Sequence, residues 1–89
     1  MNATWKPHDG DSSARDNKKN LPDSAFAFPA SRKEPMTDAS HVRNAIARFD
    51  QVQDVTDAER DQAFANLQAA AKYFEVNISE TSWHEFGGR

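Results

Sequence analysis

His41, Arg43 and Arg48 fall within one short stretch, EPMTDASHVRNAIARFDQV, residues 34–52. An imidazole there could hold a metal or move a proton. Two guanidinium groups could clamp a carboxylate or a phosphate. Each chemistry needs partners at set spacings. His41 has no cysteine, no second histidine four residues on and no nucleophile at a fixed distance. His8, His41 and His84 share no ligand spacing, so no metal is expected. The acidic run DQVQDVTDAERD, residues 50–61, resembles a calcium loop only in charge. Val52 stands at its third position, Val55 where a glycine must turn the chain, and Asp61 where a bidentate glutamate belongs. The stretch HDGDSSARDNKKN, residues 8–20, also fails, for want of the last carboxylate. There is no GxSxG, HExxH, P-loop or GxGxxG pattern, so neither catalysis nor a cofactor is expected. His41 then reads as an edge histidine hydrogen-bonded to the arm or the last turn, and the arginines as surface groups.

Charge narrows the choice of partners. The chain has 89 residues and a net charge of −3. Residues 1–35 carry six Lys/Arg against five Asp/Glu, whereas residues 36–89 carry five against nine. The acidic part is also the part with helical patterning. Phosphate contacts supply most nucleic-acid affinity, so this balance disfavours such a partner. No cysteine is present, which excludes disulfides and thiol chemistry and fits a reducing cytoplasm. No apolar run reaches membrane-spanning length and no secretory leader is visible, so a cytoplasmic, non-membrane setting is expected.

The elements that must position these groups follow from patterning. Residues 1–20 hold one large apolar side chain, Trp5, among Asp, Ser, Asn, Lys and Gly. Such a composition buries too little to offset the entropy of ordering and predicts a disordered tail. In LPDSAFAFPA, residues 21–30, Phe26 and Phe28 are two apart between prolines. An extended arm over 21–36, laying both rings on helices, is the expectation. Thr37 or Asp38 can cap a helix whose Val42, Ala45, Ile46 and Phe49 share one face. That helix should end near Asp50–Gln51. Thr56 and Glu59 form a capping box that starts a second helix, residues 57–73. Its stripe is Ala63, Phe64, Leu67, Ala70, Ala71 and Phe74.

Val76 and Ile78 then alternate in a short extended piece. Ser82 and Glu85 make a second capping box before a turn that presents Trp83 and Phe86, and residues 87–89 should fray. The predicted fold is therefore all-α. It is an antiparallel two-helix hairpin with a short C-terminal helical turn, over residues 37–86, packed by the aromatic arm. A bare hairpin has too few large apolar residues to offset its ordering cost, so the flanking aromatics must close it.

The stretches LPDSAFAFP, RKEPMTDASHVRNAIARFDQV and TDAERDQAFANLQAAAKYFEVNISETSW together resemble a family of small uncharacterised bacterial proteins. The resemblance extends to stretches of phage-derived proteins. The most specific part is D-x-x-H-V-R-N-A-I-A-R-F, beginning at Asp38 and running through His41, Arg43, Asn44 and Arg48. The resemblance covers about residues 21–83. It implies a compact module and a domain of unknown function, with no activity attached.

The function expected is a non-catalytic helical module that binds another protein. Its contact residues are expected among Phe26, Phe28, Arg32, Lys33, His41, Arg43, Asn44, Arg48, Tyr73 and Trp83. Two alternatives are a helix-turn-helix-like DNA binder using Arg32, Lys33, Arg43 and Arg48, and a phage-related assembly accessory. The acidic start of the second helix, with Asp57, Glu59 and Asp61, would repel phosphate and weakens the DNA reading.

Overall fold

The computed structural model describes residues 2–7, 21–80 and 82–86. Two helices form where the caps place them. Helix α1, Ala39–Arg48, starts at Asp38, whose carboxylate accepts the His41 N–H at 2.8 Å, and runs on into a 3₁₀ turn at Phe49–Gln51. Helix α2, Asp57–Tyr73, opens on the capping box. Thr56 Oγ1 accepts from the Glu59 N–H at 3.1 Å, and the Glu59 carboxylate accepts from the Thr56 N–H at 2.9 Å. The second box is present as well, at a 3₁₀ turn over Trp83–Glu85. Residues 76–80, where a short extended piece is expected, hold no regular secondary structure and join no sheet.

The fold is not all-α, and not a two-helix hairpin. Strands β1, Phe26–Phe28, and β2, Lys33–Pro35, pair antiparallel, with Phe26 opposite Pro35 and Phe28 opposite Lys33. What reads as one extended arm is a β-hairpin. Tight hairpin connections usually advertise themselves with Gly or Asn, which take positive φ without steric cost. Here the connection is Pro-Ala-Ser-Arg, closed by the Arg32 N–H to Pro29 O at 3.3 Å, and the left-handed residues are Arg32 (φ 53°) and Glu34 (φ 57°). Pro35 suits β2, an edge strand that can spare an N–H.

Strand β1 lies against α2 and β2 against α1, and the two helices also touch each other. Phe49 sits at the centre of the core. Its ring centroid is 5.5 Å from that of Phe28, 6.1 Å from Phe64 and 5.2 Å from Phe86. The hairpin, both helices and the C-terminal turn thus meet on one side chain. Phe26 joins a separate small cluster with Leu21 and Ala25. Of the expected α1 face, Val42, Ala45 and Phe49 are buried and Ile46 is half-buried.

Residues 2–7 correct the expectation of a tail over 1–20. Trp5 is only 6% exposed and belongs to the main core. Its indole N–H donates to Met36 O at 3.1 Å, so the polar edge of the ring is satisfied inside. Composition misleads here because one buried tryptophan, with hydrogen bonds linking Asn2, Thr4, Trp5 and Lys6 to the body of the fold, docks a polar segment. The rest of the expected tail, residue 1 and residues 8–20, lies outside the described residues, as do residues 87–89.

Helix α2 ends with the Val76 N–H donating to Ala71 O at 2.8 Å and the Glu75 N–H donating to Lys72 O at 3.4 Å. This is a Schellman stop, and its pivot normally wants glycine. Glu75 occupies it at φ 58°. Holding a side-chain-bearing residue in that region costs roughly 1–2 kcal/mol. Glu75→Gly is therefore expected to stabilise the protein by about 1 kcal/mol and raise the melting temperature by roughly 4–8 °C. A fall in melting temperature in a thermal scan would show that the Glu75 carboxylate makes a compensating contact.

Candidate functional site

The outward face of α1 is built from its N-cap onward. Asp38 holds both the His41 N–H and the His41 ring, whose Nδ1 lies 2.8 Å from Asp38 Oδ1. An ionised carboxylate only accepts, so Nδ1 carries the hydrogen in this contact. His41 is thus tied to its own helix cap rather than to the arm or the last turn. Burial is the largest single influence on the Asp38 carboxyl and pushes its pKa up. The His41 amide and imidazole hydrogen bonds, the imidazole charge and the Ser40 amide outweigh burial together, and they hold the group below its usual 3.8.

A carboxyl whose folded pKa is depressed contributes stability above its unfolded pKa and loses it as pH falls through the folded value. Wild type should therefore lose stability below about pH 4 more steeply than Asp38→Asn. Urea midpoints measured between about pH 2 and pH 6 check this; parallel curves for the two proteins would refute it.

Beyond the cap, Arg43, Asn44, Ala47 and Arg48 are exposed, and α1 contains no carboxylate. Neither the Arg43 nor the Arg48 guanidinium makes a hydrogen bond or ion pair among the described residues. Arg43 and Ile46 form one wall of an open cleft of about 370 Å³, and Glu75, Val76 and Asn77 form the other. The Schellman stop places that second wall, because the left-handed turn at Glu75 redirects the chain after α2. The cleft offers a guanidinium and an amide as donors, a carboxylate as acceptor, and an apolar floor of Ile46 and Val76. A second open cleft, of about 240 Å³, brings together Lys33, Glu34, Arg48, Gln51, Val52 and Gln53.

The other expected contact residues scatter. Phe26 and Phe28 are 0% and 1% exposed, so they build the core and present nothing to a partner. Arg32 donates to Asp23 Oδ1 at 2.6 Å and to Leu21 O at 2.8 Å, and its guanidinium lies 4.6 Å from the Phe26 ring centroid. It serves the hairpin turn. Lys33 Nζ donates to Gln53 O. Trp83 is half-buried, gives its indole N–H to Asp61 Oδ1 at 2.6 Å and stacks on His84. Tyr73 is 57% exposed and packs edge-on to Trp5 and Phe74. Among the described residues, no three His, Asp or Glu side chains gather as a metal would need.

Sequence reasoning missed Asn66, which is fully buried. Its Oδ1 accepts the Thr4 N–H at 2.6 Å and the Trp5 N–H at 2.9 Å, while its Nδ2 donates to Ala27 O at 2.9 Å. One amide thus joins the N-terminal segment, α2 and β1. A signal existed. Asn66 lies three residues after Ala63 and four before Ala70, squarely in the buried stripe, where an amide requires partners. Glu75 and Asn77 had no such signal, since only the helix stop brings them to Arg43.

Together the hairpin, the helix pair and the N-terminal clasp define a small mixed helix-and-strand module. The chain belongs to the Family of unknown function (DUF6582), whose model matches residues 5–81. The matched span opens at Trp5, so it includes the docked indole. No curated protein and no solved structure matches the chain. Among the described residues, no helix is long and apolar enough to cross a membrane.

Proposed function

We propose that the protein is a non-catalytic interaction module whose α1 face takes a segment of another protein. The observation that carries this reading is the mixed lining of the Arg43 cleft. A polypeptide segment presents carboxylates, amides and apolar side chains together, and the cleft has a complement for each: Arg43, the Glu75/Asn77 pair, and the Ile46/Val76 floor. A phosphate backbone presents anions alone and would meet the Glu75 carboxylate across the cleft from Arg43. Arg43 and Arg48 both stand ready for charged partners, since neither is neutralised within the described chain. A cytoplasmic setting belongs to the same reading and is supported by the absence of cysteine. A phage-related assembly role is supported by the sequence resemblance alone.

Selection from a displayed library of random peptides tests the proposal. Enriched sequences are expected to place a carboxylate beside a large apolar residue. Their binding should shift the amide resonances of α1 and residues 75–77, and Arg43→Glu should weaken it at least about tenfold, roughly 1.4 kcal/mol. Enriched peptides that shift resonances elsewhere would sink the cleft reading. Tighter, strongly salt-dependent binding of duplex DNA through Arg43 and Arg48 would replace it with the nucleic-acid alternative.

A further inference from the structure

We propose that the groove around Asn66 and Met36 is a peptide-recognition site that takes residues 2–7 of a second copy as well as its own, so that two chains pair by reciprocal exchange. The proposal stands apart from the α1 face. It rests on how residues 2–7 are held. Among the described residues, every hydrogen bond of this segment runs to the body of the fold and none runs within the segment. Asn66 Oδ1 takes two successive backbone N–H groups, those of Thr4 and Trp5. Gln62 Nε2 donates to Asn2 O at 2.9 Å, Met36 O accepts the indole N–H, and the Lys6 N–H donates to Ser24 O at 3.1 Å.

These are the features of a receptor for an extended peptide. Main-chain groups are read by a fixed amide, and one large side chain anchors the ligand in a closed pocket. The amide is fully buried and is itself fixed by Ala27 O, so the receptor side is built into α2 and β1. Nothing in these contacts requires the segment to come from the same chain.

Sequence length permits the exchange. Thirteen residues, 8–20, separate the segment from Leu21. Fully extended they could span at most about 45 Å, more than the 37 Å longest extent of the molecule. Swapping an identical element exchanges one set of contacts for the same set, so the energetic difference is mainly that of tethering. A tether of this length holds its own segment at an effective concentration on the order of millimolar. The closed monomer therefore prevails at micromolar protein, and the exchanged pair accumulates as concentration approaches that value.

The test uses the wild-type chain and a fluorescent synthetic peptide of residues 2–7. Light scattering is expected to give the monomer mass at about 10 µM and a mass rising towards the dimer near about 1 mM. The peptide should bind saturably, disperse the dimer when in excess, and lose at least about tenfold in affinity when its tryptophan is replaced by alanine. A strict monomer at the highest concentration overturns the proposal. So does a dimer that excess peptide leaves intact, because another surface then holds it. Equal binding of the two peptides overturns it too, since the indole pocket is then not the receptor.

Discussion

Trp5→Ala is expected to destabilise the protein by about 3–5 kcal/mol, as truncation of a buried large aromatic does. The loss has three parts. The indole leaves an apolar hole between α2 and the strand of chain around Met36, because Trp5 is almost fully enclosed. Met36 O loses its donor. Tyr73 and Phe74 lose the ring against which both pack at centroid distances of 5.8 Å. A domain of this size has few kcal/mol to spare. The melting temperature should fall by more than about 12 °C. Trp5→Phe separates the parts, since it retains most of the apolar volume and removes the indole donor. It should cost less than half as much. Thermal scans of the three proteins decide the matter, and a drop of only a degree or two for Trp5→Ala would place residues 2–7 outside the cooperative unit.

Phe49→Ala should cost a similar amount, again about 3–5 kcal/mol, for a different reason. Phe49 is 1% exposed and its ring touches those of Phe28, Phe64 and Phe86, one from each remaining layer of the fold. Its removal leaves those three rings without their common neighbour, and a rigid α1 gives them little freedom to collapse inward. Phe49→Leu, which fills much of the space, should recover a large share of the loss. Urea unfolding followed by far-ultraviolet circular dichroism measures both, and a shift below about 1 kcal/mol for Phe49→Ala would mean the core is centred elsewhere.

The helices were legible because each of their signals acts locally. Asp38 and the Thr56/Glu59 pair mark starts by supplying acceptors to bare N–H groups, and the apolar spacing marks a face. The hairpin was illegible because its turn ends on a left-handed Arg32 where sequence rules look for glycine, and β2 holds a second left-handed residue, Glu34. Trp5 was illegible for a different reason. Its stabilisation comes from residues 31 and 61 positions away, and local composition says nothing of them. Of the candidate site, the exposure of Arg43, Asn44 and Arg48 could be read from the side of α1 opposite Val42 and Ala45. The opposing wall of the cleft could not, because it depends on a left-handed glutamate ending α2.

The clasp between Trp5 and Asn66 also sets an order on synthesis. The indole leaves the ribosome 61 residues before the amide that receives its backbone. Until α2 has been made, the nascent chain therefore carries an unhoused tryptophan, and residues 2–7 can dock only once that second helix follows.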